Sequence, residues 1–421
     1  MISLEEALAC IERVALPLPP RRIPLLEACG RRLAAPVISD VDSPPWDRAM
    51  MDGFAISSAA GEAASGGRFW LDVVVDLAAG DVTGLTLTSG TCARIMTGAP
   101  LPPGADAVVP IELALEGTAA AHAGQKVCLE GATFRAGQHV ARQGAAFRRG
   151  DEVLPVGTHL GAAAIGLAAE AGATHLLTPA RPRVAILSTG SELVSPERVP
   201  QFGQTRNSNG PMLAAAVTLE GAEAISLGIA ADRPEAIRAA VAQGLAADVL
   251  LLSGGVSAGD LDLVPEVLGR CGVEQVFHKV RLKPGKPVWF GILRRSGAAS
   301  ATLVFGLPGN PASSLVCYEL FVRPALAILA GKPAGQWHLP RSHALLTAPA
   351  KGAGDRPVFA PCRLETRGGA LTAEPLPWTG SSDLVGLAVA NGLLVLPAGC
   401  GRLEAGTPVE VLVREGEGAS G

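Results

Sequence analysis

Hydroxyl, carboxylate and glycine residues crowd together at four points between residues 188 and 311. Ser188-Thr189-Gly190-Ser191-Glu192-Leu193 sets hydroxyls and a carboxylate around Gly190, whose missing side chain lets backbone N–H groups approach an anion. Ala231-Asp232-Arg233-Pro234 offers an aspartate that either caps the helix begun by Pro234 or faces a ligand. Ser253-Gly254-Gly255-Val256-Ser257-Ala258-Gly259-Asp260-Leu261-Asp262 packs three glycines, two serines and two aspartates into ten residues. Glycines permit close contact with a phosphate, whereas the aspartates repel it unless a divalent cation intervenes, so this loop points to Mg²⁺ held by Asp262 with Asp232 or Glu192. The alternative is a flexible glycine turn with solvated acids. Gly306-Leu307-Pro308-Gly309-Asn310-Pro311 is a proline-stiffened turn at which a helix starts, and its first amides are expected to receive an anion. Lys279, Arg281 and Lys283 alternate at period two, followed by Lys286. Projecting from one face of a strand, they suit a polyanion or guard an exposed sheet edge.

The elements around these clusters explain why they can converge. From Arg183 to Leu329 the chain alternates apolar runs (Val184–Ser188, Glu223–Ile229, Asp248–Ser253, Thr302–Leu307) with helical stretches near Met212–Glu220, Pro234–Gly244 and after Pro311, the pattern of a parallel sheet covered on both faces. Ligands of open parallel sheets bind outside the carboxyl ends of the strands, where all four clusters fall. Upstream, Ser3 and Glu6 form a capping box for an opening helix, and a second short helix is expected near Leu25–Arg32. Short β-like runs, Phe69–Val75, Thr91–Met96 and Ala107–Ile111, follow, then a helix over Gly161–Ala171. Runs at Leu393–Leu396 and Val409–Val413 predict a small β-barrel or sandwich at the end. The expected architecture is multidomain α/β: an N-terminal region over 1–178 with a β subdomain inserted at about 45–136, an α/β domain over 179–332, and a C-terminal β domain over 337–416.

Length and composition bound the remaining possibilities. At 421 residues the chain exceeds the ~250–300 at which one core stops growing, so several domains are expected. With 48% hydrophobic and 18% charged residues it reads as globular. A formal net charge of −4 without a basic block argues against nucleic acid. The acidic start and the lack of a run of about 18 apolar residues predict a cytoplasmic chain with no membrane partner. Eight cysteines without a C-x-x-C pair read as reduced core thiols, and no H-x-x-x-H spacing nominates a histidine metal site. Neither a P-loop nor a G-x-G-x-x-G fingerprint is present, which disfavours common NTPases and Rossmann dehydrogenases.

In order, these motifs resemble the molybdopterin molybdenumtransferases, the family that includes the C-terminal enzyme domain of gephyrin. Pro44-Pro45-Trp46 through Met51-Asp52-Gly53-Phe54-Ala55 looks like its M-D-G-[YF]-A segment, and Arg94-Ile95-Met96-Thr97-Gly98-Ala99-Pro100 through Gly104-Ala105-Asp106-Ala107-Val108-Val109 like its R-I-x-T-G-A signature. The S-T-G-x-E-L, G-G-x-S-x-G-x-x-D, K-P-G-K-P and L-P-G-N-P elements follow. The chain also departs from the pattern: Ala141 and Ala146 stand where the family has arginine and aspartate, Arg48-Ala49-Met50 precede Met51-Asp52-Gly53 where it has N-S-A, and Pro361 stands where it has arginine. The resemblance implies an enzyme that inserts molybdate into molybdopterin-adenylate and releases AMP, with Mg²⁺ as cofactor. It also implies a homodimer in which Asp52 and Thr97 reach in from the second subunit, while Glu192, Asp232, Asp262, Lys279 and Lys283 line the pterin and molybdate side. Ser188, Thr189, Gly190, Gly254, Gly255, Ser257, Gly259, Lys286, Pro308, Gly309, Asn310, Pro311 and Ser381 (or its neighbour Ser382) would hold the substrate. Molybdoenzyme clients would receive the product. Two other readings remain: a molybdopterin adenylyltransferase sharing the α/β domain, and a non-catalytic scaffold that binds the cofactor.

Overall fold

The computed structural model describes residues 1–59, 67–130, 134–256, 263–294 and 301–414. The chain forms two compact units: residues 1–22, 30–34 and 177–421 in one, residues 23–29 and 35–176 in the other.

Helix α1 (Leu4–Val14) opens the chain, started by the reciprocal Ser3–Glu6 capping box and burying Leu4, Ala7 and Ile11. The helix expected near Leu25–Arg32 is only a 3₁₀ turn over Leu25–Ala28, begun by Pro24 and left after Cys29. The second unit is built on a five-stranded sheet of β1 (Gly53–Ile56), β2 (Arg68–Leu77), β3 (Thr91–Ile95), β4 (Ala107–Pro110) and β5 (Lys126–Glu130), in the order β4-β1-β3-β2-β5. Strand β2 shows its logic: Phe69, Leu71 and Val73 turn inward while Arg68, Trp70 and Asp72 face water, the alternation of a sheet with one covered face. Helix α2 (Ala162–Glu170) completes this unit.

In the first unit, β6 (Arg183–Thr189), α3 (Asn209–Leu219), β7 (Glu223–Ala230), α4 (Pro234–Gly244), β8 (Val249–Ser253) and α5 (Val264–Arg270) are followed by β9 (Glu274–His278), β10 (Trp289–Leu293) and β11 (Thr302–Leu307). The sheet runs β7-β6-β8-β11-β10-β9. It is mixed rather than wholly parallel: the first four strands are parallel, β10 runs antiparallel to β11, and the edge strand β9 pairs antiparallel with β10. Central strands are buried on both faces. Val184 and Ile186 of β6 join the core beneath α1 and α3, whereas Ala185 and Leu187 join the one beneath α4 and α5. Each such leucine or isoleucine contributes about 1.5–3 kcal/mol by leaving water.

A helix α6 (Pro311–Leu329) threads this core. It is apolar enough over 18 residues to pass for a membrane span, but 94% of that stretch is buried inside the protein. Glu319 and Arg323 on it pair with each other at 2.8 Å, the i,i+4 arrangement of a core helix whose charges find partners within the fold. The unit ends in a closed five-stranded barrel of β12 (Arg341–Leu346), β13 (Val358–Arg367), β14 (Ala370–Pro375), β15 (Gly392–Leu396) and β16 (Pro408–Val413), in the order β12-β14-β13-β15-β16. Closure removes the sheet edges. All eight cysteines are free thiols, and burial pushes those of Cys92 and Cys362 up to about 12, which suits inert core residues.

Candidate functional site

The parallel register aligns the strand ends. Ser188 of β6 lies opposite Ser253 of β8, Ser253 opposite Leu307 of β11, and Thr189 opposite Ala230 of β7. The loops leaving these strands therefore meet at one edge and enclose a cavity of about 640 Å³. Of the residues nominated from sequence, Thr189, Gly190, Glu192, Asp232, Gly254, Gly255 and the turn Pro308-Gly309-Asn310-Pro311 line it. Ser188 lies behind the wall, with its Oγ 3.0 Å from Asn207 Oδ1. Ser257, Gly259, Asp260 and Asp262 lie outside the described residues.

Gly254 shows why the third loop needs glycine. Its φ of +96° is left-handed, and a Cβ there would sit 2.5 Å from the Thr189 carbonyl oxygen. Asp232 is not the helix cap that one reading allowed. Arg233 occupies that position, and one Asp232 carboxylate oxygen accepts the Ser191 N–H at 2.9 Å while the Asp232 N–H donates to Ser191 Oγ at 3.1 Å. This reciprocal clip joins two loops and leaves the second carboxylate oxygen without a partner among the described residues. The Glu192 carboxylate has no partner among the described residues. Among those residues no group of three or more His, Cys, Asp or Glu is gathered.

Two expectations about cations and anions are corrected. Strand β9 stops at His278 because Lys279 takes a left-handed φ of +67°, so Lys279, Arg281 and Lys283 do not sit on a strand. The alternation survives in burial, Val280 and Leu282 inward and Arg281 and Lys283 exposed. Of this segment, however, Pro287 lines the cavity, and Lys279, Lys283 and Lys286 are not among its lining residues. Nor are the first amides of α6 free for an anion. The Ser381 carbonyl accepts the N–H groups of Ala312 (3.0 Å) and Ser313 (3.3 Å), and the Asn310 carbonyl accepts that of Ser314. Asn310 Nδ2 also donates to Ser381 Oγ at 2.7 Å, so Ser381 fastens the segment after the barrel strand β14 to the helix, while Ser382 reaches the cavity wall.

Sequence reasoning missed the stretch Thr205-Arg206-Asn207-Ser208-Asn209, all of which lines the cavity. Asn209 Nδ2 donates to Ser253 Oγ (2.6 Å) and to the Gly309 carbonyl (2.7 Å), tying the start of α3 to the ends of β8 and β11. Its Oδ1 and Thr189 Oγ1 are buried without a partner among the described residues. Asparagines and a serine ahead of a helix read as ordinary capping, and only their repetition in N-S-N hinted at more.

In the second unit Asp52 and Thr97 come together. One Asp52 oxygen accepts both the Thr97 N–H and its Oγ–H at 2.7 Å, and these bonds, with the charge of Arg94, hold the carboxyl below its usual range. The other oxygen is left without a partner among the described residues. Nearby, Arg142 donates to Asp47 at 2.6 Å, next to Ala141, where the sequence departs from the family pattern. Pro361 sits within β13, opposite Leu393.

Comparison with known proteins defines the class first: the family models described as MoeA N-terminal region (domain I and II), probable molybdopterin binding domain, and MoeA C-terminal region (domain IV) match residues 2–172, 185–328 and 343–413. A molybdopterin molybdenumtransferase from Nostoc is 36% identical over 93% of this chain and 88% of its own length. Molybdopterin molybdenumtransferase 2 of Mycobacterium tuberculosis is 34% identical over 98% and 99%. A molybdopterin biosynthesis MoeA protein from Pyrococcus horikosii has a solved structure that superposes with a TM-score of 0.82 at 28% identity, covering 99% of this chain and 100% of that one. The chain belongs to the molybdopterin molybdenumtransferase family.

Proposed function

We propose that this chain is the enzyme of molybdenum cofactor biosynthesis that inserts molybdate into adenylylated molybdopterin and releases AMP. The observation that carries the reading is the convergence of four strand-end loops on one polar cavity whose wall mixes open carboxylates, glycine backbone and one arginine. Molybdate and the pterin adenylate are substrates. The cavity's open hard-oxygen donors, Glu192 and Asp232, suit Mg²⁺, with Asp262 as a further ligand; the ion supplies charge neutralisation at the anhydride. Gly254 and Gly255 let the phosphates approach the backbone, Asn310 and Ser382 hold the substrate at the α6 side, and Thr189 and Asn209 give hydrogen bonds at the cavity floor. Lys279, Lys283, Lys286 and Ser381 act from beside the cavity on the molybdate side. Asp52, oriented by Thr97 so that one oxygen stays open, acts from a second copy of the chain in a homodimer with shared sites. The work is placement and charge balance rather than covalent chemistry.

The test follows AMP against time with purified protein, adenylylated molybdopterin, Mg²⁺ and molybdate. AMP release that requires molybdate and drops at least about 10-fold in Asp232→Asn supports the proposal. Tight pterin-adenylate binding without AMP release would identify a scaffold, and ATP consumption with unadenylylated pterin would identify an adenylyltransferase.

A further inference from the structure

A phosphorylated ligand needs a positive partner, and the cavity wall offers neither of the two that its sequence promised. The lysines after β9 are not among the lining residues, and the first amides of α6 are already bonded to Ser381 and Asn310. Glu192 and Asp232 repel phosphate wherever the proposed Mg²⁺ does not screen them, so a protein-borne cation is needed beside the ion. Arg206 is the one cationic side chain among the described lining residues. It ends a two-stranded parallel ribbon in which Leu193–Val194 pairs with Thr205–Arg206, so the same ribbon that follows Glu192 carries the arginine back to the cavity. Its Nε donates to the Arg198 carbonyl at 3.0 Å, which fixes the plane of the guanidinium. Neither Nη has a partner among the described residues. A guanidinium anchored at Nε with both Nη groups open presents the two-pronged donor set that matches two oxygens of one phosphate.

We infer that Arg206 is the phosphate-binding residue of this cavity and selects phosphorylated over unphosphorylated ligands. The inference rests on the reading of the cavity as the site of an adenylylated pterin, and it adds a residue that the motif pattern did not nominate. Anchoring at Nε removes part of the side-chain entropy that a free arginine would lose on binding. Arg206 is exposed and makes no ion pair among the described residues, so replacing it disturbs the ligand rather than the fold.

Calorimetric titration with AMP and with adenosine, on the full-length protein and on Arg206→Met and Arg206→Lys, separates the cases. The wild type is expected to prefer AMP, Arg206→Met to lose about 10-fold in AMP affinity with adenosine affinity unchanged, and Arg206→Lys to recover part of the loss, because a charged hydrogen bond is worth roughly that factor. The salt dependence of AMP binding should become shallower in Arg206→Met. Equal weakening of AMP and adenosine, or no change in either, overturns the inference. If the wild type binds AMP and adenylylated molybdopterin and Arg206→Met binds them equally well, only the role of Arg206 falls. If the wild type binds neither, the functional reading falls with it.

Discussion

Two cavities of similar size in the first unit have their charges arranged in opposite ways. Among the described residues, the cavity at the strand ends, about 640 Å³, leaves the Glu192 carboxylate, one oxygen of Asp232 and the Nη groups of Arg206 without partners, and buries Thr189 Oγ1 and Asn209 Oδ1 likewise unpaired. The other, about 590 Å³, is lined by Glu220, Arg323, Lys332, His338 and Arg341. There the charges are matched inside the protein: Glu220 with Arg323 (2.6 Å) and Lys332 (3.2 Å), His338 with Glu12 (2.9 Å), and Arg341 with Glu410 (2.7 Å). Glu319 beneath it binds Arg323 and Arg414. Buried polar groups in native proteins are normally satisfied, so volume does not distinguish the two cavities but unmet hydrogen-bonding capacity does. The paired cluster holds α3, α6 and the end of the barrel together; the open one has unmet polar groups that the proposed ligand would satisfy.

The comparison can be broken first at its structural end. Arg323→Leu leaves Glu220 and Glu319 buried with fewer counter-charges and should cost about 3–5 kcal/mol in urea unfolding, while the folded fraction keeps its affinity for pterin adenylate. A loss of affinity without loss of stability would reverse the roles assigned to the two cavities. Gly254→Ala should cost about 1–3 kcal/mol, from its left-handed backbone and the clash with the Thr189 carbonyl, and should weaken ligand binding as well. Stability and affinity measured on the same preparation check whether both fall. Glu192→Gln, an exposed and unpaired site, should leave stability within about 0.5 kcal/mol and instead raise the Mg²⁺ concentration needed for AMP release. An unchanged Mg²⁺ titration would remove Glu192 from the metal site.

The smallest effect concerns Asp52. Because its folded carboxyl titrates below the ordinary value, it contributes stability that is present above the unfolded carboxyl range and is lost as pH falls through the lower folded value. Asp52→Asn should therefore flatten the acid side of the stability profile slightly, and AMP release should fall even where stability does not change. Thermal melts between about pH 2 and pH 5 read the first effect, and the AMP assay reads the second.

How far this contrast could be read from sequence differs by element. The strand-end loops were legible because buried parallel strands are continuous apolar runs, and β6, β8 and β11 each end in a polar, glycine-bearing stretch. The mixed edge was not, since nothing in the sequence of β9 or β10 states direction, and the reversal happens in the connection over 279–288 through Pro284 and Pro287. Period two correctly sorted Val280 and Leu282 inward, but it could not anticipate the left-handed turn at Lys279 that takes the row off the sheet. Arg206 was invisible for a different reason: a two-residue ribbon has no periodicity, and a lone arginine between a threonine and an asparagine-serine-asparagine run reads as solvated surface. The capping of α6 by Ser381 depends on a contact about seventy positions away along the chain, which local pattern cannot report.

Amide hydrogen exchange with and without adenylylated molybdopterin tests the central claim most directly. The account predicts that binding slows exchange at residues 189–193, 205–209, 254–256 and around 309–314, and leaves residues 219–220 and 332–341 as they were. Slowing confined to the second set, with the strand-end loops unaffected, would contradict it.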